Sequence, residues 1–552
     1  MIIKTVSGLK KAFLDDNIYE QTEFTHGSCL KNECYHYEVL FYNEVLVDYK
    51  MPGLIKLVSP IEDYVTIKRL NHVPVQMPAY GKMRDERYLR TKPGLYPDIL
   101  EDIDLDAPMP FANTLQTLFV EINPDGKLAA GEYPVRIEFY DFNNREKLLA
   151  ASDFTIEIID ALLPEQEIIC DQWFYCDCLQ DYYETEMFDE RHWQIIENFM
   201  KAAVKRGLNM ILTPLFTPPL DTYVGGERTT AQLVDVTVTD GKYTFGFDKL
   251  HRWVELCNRV GFKYFEIAHF FTQWGAKHCP KVMATVDGEY KKIFGWETDA
   301  TSKEYTEFLR TFVPQFLDFM KAMDGADKRC YFHISDEPNP AHIQQYSAAK
   351  AIVKDYLKDY KIMDAMSSYE MYSSGAVDMP VPGNNHLEPF FENNVQGLWT
   401  YYCCSQCEEV SNRFIAMPLS RTRIMGTQMW KYNIEGFLHW GYNFYNNQHS
   451  YGKINPFMCT DGDYFGPAGD PFSVYPGRHG QAIESVRLVA FHEAIQDIRS
   501  LRLCESLIGR DKTMELLGDG KDMTFKKYPR YDDYLLEMRD RVNNAIKQAV
   551  SK

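Results

Sequence analysis

Hydrophobic and polar positions divide the chain into two regimes. Up to about residue 160 the apolar positions come in short β-type runs. Tyr37–Tyr42, Tyr133–Tyr140 and Phe154–Ile159 are examples, and the last alternates as a half-buried strand should. Turn signals such as Asn123-Pro124-Asp125-Gly126 separate these runs. They predict an all-β sandwich over residues 1–163, with Leu163–Glu167 as a linker. Beyond the linker, strand-like and helix-like patterns alternate. Strands are predicted at Ile168–Trp173, Met210–Leu215, Tyr264–His269, Tyr331–Ser335, Lys361–Met366, Ala376–Val381, Gly397–Tyr402 and Gly436–Tyr442. Amphipathic helices are predicted at Asp189–Arg206, Lys249–Val260, Lys303–Met323, Pro340–Asp359, Pro418–Tyr432 and Ser485–Ser506. Eight such units predict an α/β fold, a closed (β/α)8 TIM-type barrel over residues 164–510. Residues 511–552 form a helical extension, with Tyr528–Lys552 a charged surface helix.

Composition narrows the function. Of 552 residues, 79 are acidic and 59 basic, a net charge of -20. Such a chain repels phosphate backbones, so nucleic acid is not an expected partner. No stretch approaches the ~20 apolar residues of a membrane span, and none is expected. Met1–Val6 lacks the apolar core of a secretory signal, which points to the cytoplasm. Thirteen cysteines without such a signal point to free thiols. The clusters Cys170/Cys176/Cys178 and Cys403/Cys404/Cys407 lack paired zinc spacing, and no metal or cofactor is expected. Aromatic residues reach 14% and suit the apolar C–H faces of sugar rings as well as core packing.

In a (β/α)8 barrel, chemistry sits where strands end. Tyr331–Ser335 runs directly into Asp336-Glu337-Pro338-Asn339-Pro340. Pro338 disfavours helix at Glu337, and Asn339 with Pro340 can open the next helix. Adjacent residues on a regular strand face opposite ways, so two acids at one mouth require a distortion there. Crowding them raises at least one pKa, which makes a general acid available while the other stays ionised. A bare helix-capping role for the pair is the alternative. Other strand ends supply candidate sugar contacts in His269, Trp274, Trp399, Tyr401, Tyr402, Trp440 and Asn443.

These motifs resemble glycoside hydrolase family 123. The resemblance is carried by Asp336-Glu337-Pro338, by His269 with Trp274-Gly275, by Trp399-Thr400-Tyr401-Tyr402 and by Gly436-Phe437-Leu438-His439-Trp440. Tyr96-Pro97-Asp98, Ser485-Val486-Arg487 and Glu493-Ala494-Ile495-Gln496-Asp497 extend it. It implies a β-sandwich followed by a catalytic barrel, and an exo-acting, retaining β-N-acetylgalactosaminidase. Its carbohydrate substrate would end in an amino sugar. In that scheme the sugar's own acetamido oxygen attacks the anomeric carbon. Asp336 would orient the acetamido group, Glu337 would act as acid and then base, and Tyr401 or Tyr402 would bond the acetamido carbonyl. His439 and the Cys403-Cys404 region depart from the family pattern. Two rival readings are a glycosidase with a separate nucleophile, Glu266 or Asp364, about 5–5.5 Å from Glu337, and a carbohydrate-binding protein without activity.

Overall fold

The structure, a computed structural model, describes residues 1–44, 52–109 and 112–551. It resolves into two compact units. The first comprises Met1–Gln166, Ser411–Tyr432 and Ile483–Lys552; the second comprises Glu167–Val410 and Asn433–Ala482. Two helices predicted in the barrel, observed at Leu419–Lys431 and Val486–Ile508, thus cluster with the N-terminal strands.

The first unit contains two sheets. One has five antiparallel strands in the order Ile2–Ser7, Tyr35–Tyr42, Gln116–Ile122, Val65–Val75 and Gly94–Asp102. The other has four, in the order His26–Leu30, Leu148–Ile159, Gly131–Asp141 and Pro52–Val58. Alternation sets their faces. Tyr37, Val39 and Phe41 of the first sheet share a core with Val135, Ile137 and Phe139 and with Phe154, Ile156 and Ile158 of the second. The Tyr37 and Phe154 rings stack 4.0 Å apart.

Buried charge joins the remaining segments of this unit. Arg487, wholly buried at the start of its helix, bonds both oxygens of Asp98 at 2.6 and 2.9 Å, across 389 residues of sequence. Arg423 makes two bonds to Asp497 at 2.8 and 2.9 Å, and Arg539 bonds Asp497 and Glu33. Burial would push the Glu493 carboxyl up, but Arg423 and His36 hold it down at about 2. Gly426 meets the backbone of Ala494 so closely that a Cβ would lie 2.1 Å from the Ala494 oxygen, so the two helices require glycine there. The C-terminal helix, Asp532–Val550, is more than a charged surface element. Tyr534, Leu535, Met538, Val542 and Ile546 are buried along one face. Lys552 lies outside the described residues.

In the second unit all eight expected strands are present, Lys361–Met366 at full length and the other seven shorter, in two parallel sheets. Met210–Thr213, Tyr264–Ile267, Cys330–Phe332, Lys361–Met366 and Met379–Pro382 form one. Ile169–Gln172, Gly436–His439 and Trp399–Tyr401 form the other. The expected closed barrel is therefore corrected to two open sheets. Strands of three to six residues end before closure. Between the first and second strands one backbone bond, from the Asn209 N–H to the Cys170 carbonyl at 3.1 Å, is supplemented by the Asn209 side chain, which accepts from the Cys170 N–H at 2.8 Å and donates to the Ile168 carbonyl at 3.0 Å. The sixth and seventh strands meet through one isolated bridge, Gly383 with Tyr401. A further four-stranded sheet was not anticipated. Its hairpins, Asp235–Thr239 with Lys242–Gly246 and Val282–Val286 with Glu289–Phe294, both turn on Asp-Gly pairs with positive φ. Among the described residues, no helix is long and apolar enough to cross a membrane.

Removing one partner of a buried ion pair costs about 3–5 kcal/mol, because the other charge is stranded. Arg487→Met is expected to lower unfolding free energy by that order in a denaturant titration. Pairing it with Asp98→Leu is expected to recover most of the loss. Equal stability of Arg487→Met and the parent would refute the assignment.

Candidate active site

The fourth parallel strand, Cys330–Phe332, stops four residues before Asp336. Beyond it the chain is held by side-chain bonds and one backbone bond. The Ser335 hydroxyl accepts from the Gly275 and Ala276 N–H groups, both at 3.2 Å, and donates to the Thr272 carbonyl at 3.0 Å. The Trp274 N–H bonds the Asp336 carbonyl at 2.9 Å. Glu337 has φ 44°, a left-handed conformation that costs a non-glycine residue on the order of 1–3 kcal/mol. This is the distortion that two acids at one mouth require. Asp336 and Glu337 both line a cavity of about 170 Å³. As the sequence suggested, the Asn339 side chain caps the next turn by accepting from the Ala341 N–H at 3.0 Å, with Pro340 at its first position.

The Tyr401 hydroxyl donates to Glu337 Oε1 at 2.8 Å. Asp336 is half-buried, and burial followed by the charge of Glu337 pushes its carboxyl well above the usual range. The raised member of the pair is therefore Asp336, whereas the resemblance gives the acid's role to Glu337.

Of the other predicted contacts, Trp274, Tyr401 and Trp440 line the same cavity. Four do not. Trp399 is buried against Tyr331 and over Gly436, as core packing. Tyr402 packs its ring on Phe437 and edge-on to His439. Asn443 bonds the backbone N–H and carbonyl of Tyr175 at 2.8 and 3.0 Å, and it is Tyr175 that reaches the cavity. His269 is buried and stacks on His333, with ring centroids 4.2 Å apart. Sequence reasoning missed the cavity residues Trp173, Tyr175, Asp221 and His449. Asp221 lies on a loop and His449 on the single 3-10 turn Gln448–Ser450, where periodicity is silent. Their bond from the His449 N–H to Asp221 at 2.9 Å joins loops 228 residues apart. Burial raises the Asp221 carboxyl to about 6. His439, the departure from the family pattern, places Nε2 3.3 Å from Asp470, which also accepts from Trp440 Nε1 at 3.0 Å.

Beside the acid pair is a fully buried cluster. His333 Nε2 lies 2.6 Å from Glu266, and Nδ1 lies 3.1 Å from Asp364. Burial would lower the imidazole, but Glu266 and Asp364 raise it to about 10. Burial and the His333 charge push the His269 ring well below its ordinary value. Burial and Glu266 push the Asp171 carboxyl well up. His269, His333 and Asp364 are close enough to suggest metal ligands. An imidazolium donating at both nitrogens has no lone pair for an ion.

A family model described as the glycoside hydrolase 123 catalytic domain matches residues 173–504. The chain belongs to glycoside hydrolase family 123. As a family 123 glycoside hydrolase it is an enzyme acting on carbohydrate. Its fold is similar to that of a family 123 glycoside hydrolase from Clostridium perfringens, described in work on glycolipid glycan hydrolysis. That match has 14% identity and a TM-score of 0.73, over 99% of this chain and 98% of the other. A Bifidobacterium dentium β-glucuronidase matches at 10% identity and a TM-score of 0.34, over 83% and 65% of the two chains. A search of curated proteins found no match.

The buried imidazolium makes stability pH-dependent. Its folded value, about 10, exceeds its ordinary 6.5, so between them the folded hydrolase holds the extra proton. The contribution is complete below the lower value and lost as pH rises through the upper one. Denaturation midpoints are expected to fall across that window. His333→Gln should start lower and fall less steeply; an identical slope in both proteins would contradict the charge assignment.

Proposed function

We propose that this family 123 hydrolase is a retaining, exo-acting β-N-acetylhexosaminidase that favours terminal β-linked N-acetylgalactosamine on a glycan or glycoconjugate. The eight strands in chain order support a scaffold of (β/α)8 type, with the site at the strand ends. One observation carries the chemical reading: the adjacent acids Asp336 and Glu337 line a single cavity. In this reading Glu337 protonates the leaving oxygen and then takes a proton from water. Asp336, ionised, accepts the acetamido N–H, so that the acetamido oxygen attacks the anomeric carbon and closes an oxazolinium ring. Of the two tyrosines, Tyr401 is the one beside Glu337, and it suits the acetamido carbonyl.

A separate nucleophile is poorly served by the strand-borne acids. Glu266 and Asp364 are wholly buried and both engaged by His333. Asp221, the other carboxylate lining the cavity, sustains a second reading in which it attacks the sugar directly.

Aryl β-GalNAc, aryl β-GlcNAc and aryl β-galactoside distinguish the two. Acetamido participation predicts cleavage of amino sugars but not of the galactoside, and inhibition by a thiazoline mimic of the oxazoline. Glu337→Gln should slow hydrolysis of an alkyl β-GalNAc glycoside by roughly 10²–10⁴-fold, and of an activated aryl glycoside by less. Galactoside turnover abolished by Asp221→Asn, with no thiazoline inhibition, would establish the second reading instead.

A further inference from the structure

His333 stands three residues before Asp336, and the proposed chemistry makes no use of it. A cation buried this completely is stable only when answered by charge and hydrogen bonds. Here the answer comes from both sides, through Glu266 on the third strand and Asp364 on the fifth. Each carboxylate has further duties. Asp364 accepts from the Ile334 and Ser335 N–H groups at 3.2 and 3.3 Å, where the fourth strand has left its ladder. The Tyr346 hydroxyl donates to its other oxygen. Glu266 accepts from Trp173 Nε1 at 2.5 Å, and that indole lines the cavity. One imidazolium thereby connects the third and fifth strands, through Glu266 and Asp364, to a cavity wall and to the backbone that leaves the fourth strand just before the acid pair.

The charge balance points the same way. The groups facing His333 are Glu266, Asp364, the stacked ring of His269 and, across the strand end, Asp336. Asp171 lies behind Glu266. Without the cation, Glu266 and Asp364 would face Asp336 and Glu337 as uncompensated negative charge. Glu337, Asp364 and Glu266 all oppose ionisation of Asp336; His333 favours it.

We propose that His333 is a positioning residue: its imidazolium ties the third and fifth strands to the segment that leaves the fourth and supplies the counter-charge that lets Asp336 ionise beside Glu337. This rests on the reading of Asp336 as the carboxylate that holds the substrate's acetamido group. In that reading activity falls as pH drops through the Asp336 ionisation, and losing a nearby cation moves the fall to higher pH.

The test uses the full-length enzyme and whichever aryl β-GalNAc, β-GlcNAc or β-galactoside it turns over fastest. In His333→Gln the acid limb of the kcat/KM profile is expected to move up by about one pH unit or more. At the parent's optimum kcat should fall at least tenfold, with KM changed less. A variant that is less stable but keeps the parent's acid limb would overturn the proposal and leave His333 a packing residue. Preference for the galactoside would instead count against the acetamido reading, while the acid limb still reports on His333. Should the variant fail to fold, ¹⁵N-histidine spectra of the parent enzyme decide. His333 is expected as an imidazolium, protonated at both nitrogens, throughout neutral pH. A neutral ring there would overturn the proposal.

Discussion

A full positive charge shut away from water has to be matched on the spot, and the region around the acid pair is organised by that demand. His333 is bonded on one side to Glu266 and on the other to Asp364. Those carboxylates in turn anchor an indole of the cavity wall and the backbone of Ile334 and Ser335. The parallel ladder has already ended at Phe332. From there to Glu337 the chain lacks the regular pairing that fixes a strand, and side-chain bonds do the work instead. An apolar core at this point would offer no lone pairs to the Ile334 and Ser335 N–H groups that Asp364 now receives.

The first unit uses the same device for a different end. Asp98 belongs to one resemblance motif and Arg487 to another, and they meet as a wholly buried pair. Glu493 and Asp497, in a third motif, receive Arg423, and Asp497 also receives Arg539. Gln496, between them, bonds the Cys34 backbone at both its N–H and its carbonyl. Several residues that make the chain resemble its family therefore act in architecture rather than chemistry. Arginine suits this use, because its planar fork satisfies both oxygens of one carboxylate.

The strands and helices were legible because their signals are local. Apolar runs, Asn339 with Pro340 and the acid pair all lie within a few consecutive residues. The two Asp-Gly turns carried a local signal as well, and they mark both hairpins of the unanticipated sheet. Which strand-end side chains reach the cavity was not legible, since that depends on where each ladder stops. Trp399 opens its strand and packs inward, Tyr401 closes the same strand and lines the cavity, and Trp440, one residue past its strand, lines it too. Closure failed for a similar reason: eight alternating units predict eight strands, but not whether Asn209 or a ladder fills the seam. Asp221 and His449 could not be paired from sequence at all.

The adjacency of Asp336 and Glu337 finally constrains what the site can do. Consecutive α-carbons are only about 3.8 Å apart. Two side chains from such neighbours enter one cavity through the left-handed turn at Glu337, and both come from the same wall. A direct displacement needs a nucleophile on the face opposite the leaving group's acid. Neither neighbour is well placed to provide it for the other. Glu266 and Asp364, the strand-borne alternatives, are committed to His333. In the proposed reading the attacking atom therefore arrives with the substrate, Asp336 orienting it and Glu337 managing the proton, and among the described residues Asp221 is the one other cavity carboxylate from which a direct displacement would have to come.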